Sequence, residues 1–136
     1  MDKEYLAITV GIPAQGVVDL PIGRHPFKRQ EMAITEKGRS ALTCIEILKR
    51  GNGLALIQAR PITGRTHQIR VHLHSLKTPV LGDCVYGFNK WNQRLNVKRH
   101  LLHAHRLRFF HPLNGKEMEV KAPIPQDIEL FLKNMD

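Results

Sequence analysis

Acidic side chains are in short supply in this sequence, and long apolar runs and paired cysteines are missing altogether. Among 136 residues, 12 Asp and Glu face 21 Lys and Arg, leaving a net charge of +9 and a sequence pI near 10.0. A chain this basic is poorly matched to cationic partners and well matched to nucleic acid, an anionic membrane or another polyanion. No apolar stretch approaches the roughly 20 residues that a membrane span requires, and the first residues lack the apolar core of a signal peptide. Neither membrane insertion nor secretion is expected. Cys44 and Cys84 are far apart and form no C-x-x-C pair. That argues against a disulfide framework and for two free or buried thiols in a reducing cytosol. Repeats and low-complexity tracts are absent, and the basic residues are spread through folded-looking segments rather than gathered in a tail. The length suits a single domain over residues 1–136, able to bury about two thirds of its unfolded surface.

What is present is mostly β-patterned. Leu6, Ile8 and Val10 alternate with Tyr5, Ala7 and Thr9, the period of a half-buried strand, with Tyr5 on the face opposite Leu6 and Ile8. Residues 12–30, rich in Gly, Pro and charge, read as a loop with short extended pieces. Residues 43–48 and 54–59 are β-rich and joined by Gly51-Asn52-Gly53, a hairpin signal. A short strand is expected over 79–81, a turn at Gly82-Asp83, a polar loop over 88–100 and a long strand over 101–110. Asn114-Gly115 turns the chain into a strand over 117–121, and Ile128, Phe131, Leu132 and Met135 mark a closing helix. This order predicts an α+β fold, a mixed, mostly antiparallel sheet with flanking helices.

The richest chemistry lies in Thr63-Gly64-Arg65-Thr66-His67-Gln68-Ile69-Arg70-Val71-His72. Gly64 permits a tight or left-handed turn and Thr66 can cap the helix that follows. Ile69, Leu73 and Leu76 recur at helical spacing and would face a core, leaving His67, Arg70 and His74 on another face. Arg65 stands at the helix entrance, where backbone amides also favour an anion such as a carboxylate or phosphate. An ordinary amphipathic helix with a solvated basic face would look the same on spacing alone.

The whole string narrows the choice. Thr63 to Leu73, followed by Pro79-Val80-Leu81-Gly82-Asp83 and Tyr86-Gly87, closely resembles the RluA-type pseudouridine synthases. The resemblance runs in order along nearly the full chain. It takes in Lys3-Glu4-Tyr5-Leu6-Ala7, Pro21-Ile22-Gly23-Arg24-His25-Pro26 with Lys28, Arg29 and Met32, and Lys37-Gly38-Arg39-Ser40-Ala41-Leu42-Thr43. Leu102-His103-Ala104, His111-Pro112 and Ala122-Pro123-Ile124-Pro125 complete it. The Arg-His-Pro loop and the Pro-Ile-Pro-Gln-Asp ending are most similar to the RluD branch, which modifies large-subunit ribosomal RNA.

The resemblance implies isomerisation of uridine to pseudouridine in RNA by a cytoplasmic enzyme, with no metal or organic cofactor. It makes Tyr5 the ring that stacks on an extruded base and Arg65 the partner of the family's nucleophilic aspartate, whose ionised form an adjacent cation favours. Arg24, Lys28, Arg29, His67 and Arg70 would contact RNA. The family's His-Arg-Leu-Asp motif, which carries the aspartate ahead of the tyrosine strand, does not occur in this sequence. The chain is therefore expected to be the C-terminal part of a catalytic domain, inactive alone, or else an RNA-binding module of the same descent. Asp83 could be a substitute nucleophile, although Gly-Asp before Tyr-Gly suits turn chemistry better. His103 and His105 share a strand face and could approach a metal, but no companion Cys or Glu is suitably placed, and RNA contact or core hydrogen bonding fits them better.

Overall fold

The computed structural model describes residues 2–133 and 135. Eight strands run in chain order as β1 (Asp2–Val10), β2 (Gly16–Asp19), β3 (Ile22–Arg24), β4 (Met32–Ile34), β5 (Leu42–Gly51), β6 (Leu54–Pro61), β7 (Leu102–Phe110) and β8 (Glu117–Lys121). Three helices accompany them, α1 (Gln68–Ser75), α2 (Asn89–Arg94) and α3 (Gln126–Lys133). Six strands form one antiparallel sheet in the order β2-β5-β6-β1-β7-β8, and β3 and β4 pair as a separate hairpin. The architecture is α+β, as the pattern of the sequence implies.

Local chemistry explains the main connection. Between β5 and β6, Asn52 and Gly53 both take positive φ, 56° and 78°. A two-residue turn of this hand matches the twist of paired strands, and Asn-Gly is the pair that adopts it most readily. Within the β5–β6 pair the register shifts between Ile47 and Lys49, where an extra residue bulges the strand, and a second shift falls between Glu4 and Tyr5 where β1 pairs with β7.

The alternation in β1 sends side chains to both faces of the sheet. Leu6, Ile8 and Val10 join Leu54, Leu56, Leu81, Leu101, Ile128 and Met135 in one cluster, roofed by α3. Ala7 joins Val18, Ile45, Ile57, Ile69, Leu73 and Val80 in a second cluster, on the face that α1 covers, with Tyr5 packed at its margin. Tyr5 thus lies opposite Leu6 and Ile8, at the edge of the α1 layer.

Two expected features differ. The strand over 79–81 reduces to a single bridge from Val80 to Thr9. Residues 88–100 are not simply a loop, because α2 occupies six of them around the buried Asn92. The Asn92 side chain accepts from the Gly82 amide at 2.7 Å and donates to the Asp83 carbonyl at 3.2 Å. Its amide holds the turn that apolar periodicity cannot reveal. No described helix is long and apolar enough to cross a membrane.

Leu73 is fully buried where α1 meets the sheet. Leu73→Ala should destabilise the fold by about 2–5 kcal/mol, read as a lower urea midpoint at unchanged slope.

Candidate active site

The helix carrying the chemistry does not start as its sequence suggests. Gly64 is absent from the positive-φ positions, and no side chain caps the helix; His67 holds the N-cap position in a left-handed conformation, φ 56°. Thr66 is exposed. The entrance is organised by Gln68 instead. Its Oε1 accepts from the Arg65 amide at 3.0 Å and the Thr63 hydroxyl at 2.7 Å. Its Nε2 donates to the Leu42 carbonyl at 2.7 Å and to Thr43 Oγ1 at 3.0 Å.

Thr43 continues this network into the core. His72 Nε2 lies 2.9 Å from the Leu20 carbonyl, which can only accept, so that nitrogen carries the proton. His72 Nδ1 is then an acceptor for the Thr43 hydroxyl at 2.7 Å. The chain Gln68–Thr43–His72–Leu20 satisfies each group once and ties the start of α1 to β5. Burial holds the His72 pKa below its ordinary 6.5, with opposing contributions from the Leu20 bond and Asp19.

On the outer face of α1, Arg70 makes two parallel bonds to Asp83, Nε to Oδ2 at 2.7 Å and Nη2 to Oδ1 at 2.9 Å. Oδ1 also accepts from the Val85 and Tyr86 amides, each at 3.0 Å. Burial alone would raise the Asp83 pKa, but the Arg70 bonds and these amides outweigh it and hold the carboxyl below its ordinary value. The fully buried Asp83 carboxylate has no free approach for a substrate. Its neighbourhood is turn chemistry plus an ion pair, which removes it as a substitute nucleophile. The Arg70 guanidinium also lies over the Tyr86 ring, 5.1 Å from its centroid.

A cleft of about 520 Å3 opens beside this helix, lined by Lys3, Tyr5, Pro61, Ile62, Thr63, Gly64, Arg65, His67, Gln68, Ile69, Arg70 and Leu102. Four residues singled out from the sequence, Tyr5, Arg65, His67 and Arg70, therefore meet in one place. Lys3 joins them without having been anticipated. Among the described residues, none that lines the cleft is acidic. Arg65 donates from Nε to the Ser40 carbonyl at 2.8 Å and forms no ion pair among the described residues. It is oriented by the backbone ahead of β5 with its cationic charge uncompensated. Polarity of this kind suits an anionic or carbonyl-rich ligand.

Arg24, Lys28 and Arg29 lie elsewhere, on the β3–β4 hairpin and its connection. Arg24 Nη1 donates to the Arg29 carbonyl at 3.0 Å, and His25 Nδ1 accepts from the Phe27 and Lys28 amides at 3.1 and 3.0 Å. The connection is internally braced. His103 and His105 stand on β7 with ring centroids 5.8 Å apart. No group of three or more potential metal ligands occurs among the described residues.

Sequence reasoning passed over Tyr86 and Gln68, the two side chains that shape the site most. The Tyr86 hydroxyl accepts from the Met32 amide at 2.9 Å and meets His67 Nδ1 at 2.8 Å, while the Tyr86 carbonyl accepts from His74 Nδ1 at 2.9 Å. The spacing of His67, Arg70 and His74 on one face of α1 was the available signal, since all three converge on this turn.

Comparison with known proteins identifies a family. The model of the family described as RNA pseudouridylate synthase matches residues 1–75. An uncharacterized RNA pseudouridine synthase of Mycobacterium bovis is 42% identical over 136 residues, covering 98% of this chain and 44% of that protein. The ribosomal large subunit pseudouridine synthase D of Escherichia coli K12 is 41% identical over 144 residues, covering 98% of this chain and 44% of that protein. The solved structure of human RNA pseudouridylate synthase domain containing 1 superposes with a TM-score of 0.77 at 27% identity, over 98% of this chain and 65% of that one. The chain thus spans less than half the length of these curated relatives.

Two measurements probe the electrostatics of the cluster. Asp83→Asn removes the ionic partner of Arg70, whose side chain is 12% exposed, and should lower stability in chemical denaturation by at most about 3–5 kcal/mol, the cost of breaking a fully buried pair. Burial lowers the pKa of His67, His72 and His100, with Arg70 also acting on His67 and His100. Each therefore binds its proton less readily folded than unfolded, so stability should be flat above pH 6.5 and fall as pH drops below it, through the lowered folded values. The loss is at most about 1.4 kcal/mol per pH unit for each histidine. Urea midpoints between pH 5 and 8 would show it; a midpoint that rose on acidification would contradict it.

Proposed function

Because the chain belongs to the RNA pseudouridylate synthase family, in its RluA-type branch, we propose that its cleft is the uridine-isomerising site of an enzyme acting on RNA. Large-subunit ribosomal RNA is the proposed substrate and the cytoplasm the proposed location. The observation that carries this reading is the convergence of Tyr5, Arg65, His67 and Arg70 on one basic cleft.

The chemistry requires what such a cleft offers. Uridine isomerisation breaks the bond from C1′ to N1, forms one from C1′ to C5, and moves a proton from C5 to solvent while N1 gains one. Electrons balance within the base and ribose, so neither oxidant nor reductant is needed. A base stacked in RNA must first leave the stack. Tyr5, at the margin of the α1 layer, supplies the face on which the extruded base rests. Arg65 supplies the fixed cation beside which a nucleophilic carboxylate stays ionised. Arg24, Lys28 and Arg29, on the hairpin, hold phosphates and set the register of the strand.

The nucleophilic aspartate is the part this reading places outside residues 1–136. Among the described residues the cleft lining holds no carboxylate, and Asp83 is consumed by four donors. We therefore read the chain as the C-terminal portion of a catalytic domain that does not turn over uridine by itself. The same acid-free cleft favours a second reading, a catalytically inactive RNA-binding module.

Tritium release from C5-labelled uridine in unmodified ribosomal RNA separates them. The 136-residue chain should release none, and a longer protein carrying an upstream His-Arg-Leu-Asp segment should turn over repeatedly. In that longer protein Tyr5→Ala should cut release by about 5- to 150-fold, since base stacking is worth about 1–3 kcal/mol. Tyr5→Phe should keep binding. Repeated turnover by the 136-residue chain would overturn the inactivity, and an inactive longer protein would favour the binding module. RNA affinity of the chain should fall with salt, with a slope of about 0.7 per phosphate contact for single strands.

A further inference from the structure

We infer that His67 is a neutral hydrogen-bond donor in the cleft, fixed in its Nε2–H form by Tyr86, and that it binds a carbonyl oxygen of the extruded uracil rather than a phosphate. The inference rests on the RNA reading of the same cleft.

The tautomer follows from counting donors and acceptors. Tyr86 is buried, 3% exposed. Its hydroxyl oxygen already accepts from the Met32 amide. Its own proton needs an acceptor, and among the described residues His67 Nδ1, at 2.8 Å, is the one within reach. Were Nδ1 protonated instead, the Tyr86 hydroxyl would accept twice and its proton would be orphaned in the interior, an arrangement that folded proteins avoid. Nδ1 is therefore unprotonated, and the neutral ring carries its hydrogen on Nε2. No protein partner for Nε2 is found among the described residues, and the residue lines the cleft. The edge-to-face packing of the two rings, 74° between planes, fixes the direction of the imidazole.

Charge supports the assignment. Burial, and after it the nearby Arg70 guanidinium, lower the His67 pKa against a smaller opposing pull from Asp83, so the ring favours its neutral form. The cleft has cations in plenty, Lys3, Arg65 and Arg70, so a neutral donor among them serves another purpose. A flipped base presents its edge for hydrogen bonding, and an uncharged N–H directed at a carbonyl reads that edge without attracting phosphate. The left-handed backbone at His67 is what brings this ring to the rim of α1, and Asn or Gly would adopt that conformation with less strain. The residue is held there by the Tyr86 bond.

The test has a structural and a binding arm. Ring-nitrogen NMR on the 136-residue chain at pH 7.5 should show His67 as Nε2–H, and Tyr86→Phe should convert it to a mixture of tautomers. Wild type showing Nδ1–H or a doubly protonated ring would overturn the inference. For binding, the probes are a short RNA with a central uridine and the same RNA with a central abasic ribose. Wild type should prefer the uridine probe. His67→Leu should weaken only that probe, by about tenfold, the scale of one hydrogen bond. His67→Gln, whose amide can donate from a similar reach, should recover most of the loss, which a packing defect would not allow. Equal weakening on both probes, or equal wild-type affinity for both, would overturn the base contact while leaving RNA binding intact. Failure of wild type to bind either probe would overturn both the RNA reading and the subsite.

Discussion

The site depends on one ion pair with a fully buried carboxylate. Arg70, on α1, and Asp83, in the turn after the Val80 bridge, are joined by two short parallel hydrogen bonds, and two backbone amides complete the carboxylate's shell. Isolated charges at this depth would be costly, and fully satisfied ones are rigid. Their rigidity passes to Tyr86, whose amide bonds Asp83 and whose ring lies under Arg70. Tyr86 in turn holds His67, His74 and the first residue of β4. Helix, turn and hairpin therefore share one fixed point, and the cleft wall is built from it.

A second polar network sits on the inner side of the same helix. Gln68, Thr43 and His72 run from the helix entrance to the Leu20 carbonyl without leaving a group unmatched. The two networks clamp α1 from opposite faces, which compensates for its poor capping. A helix of eight residues with no side-chain cap would be marginal alone. Tertiary bonds, not helix propensity, fix where Arg65 and Arg70 stand.

The sheet was legible because its signals are local and periodic. Alternation in β1 assigned Tyr5 and Leu6 to opposite faces, Asn52-Gly53 announced the β5–β6 hairpin, and Asn114-Gly115 the turn into β8. The apolar spacing of Ile128, Phe131 and Leu132 announced α3, although Met135, expected in the same helix, lies beyond its end at Lys133. What escaped was polar and long-range. Thr66 carries a capping side chain, yet Gln68 does the work from inside the helix, reaching back to the Arg65 amide. Helix α2 has no apolar stripe, and its buried Asn92 is kept by bonds to Gly82 and Asp83. Arg70 reads as a surface cation in sequence, and only the fold supplies its carboxylate. Residues such as Tyr86, whose partners come from β4 and α1, cannot be assigned from neighbours in the chain.

The cluster under α3 has a consequence for how the chain reaches this state. It unites Leu6 and Ile8 from the first strand with Ile128 and Met135 from the far end of the described residues, and the backbone at Gly51 closes directly on Met135. Contacts of such long sequence separation form late, because the entropy of closing the intervening loop comes before any reward. During synthesis the hairpin β5–β6 and helix α1 can dock early, whereas the face that awaits α3 stays wet until α3 itself has emerged. In that interval Leu54, Leu56 and Leu81 lack their cover, and exposed apolar surface of this kind favours association with other chains.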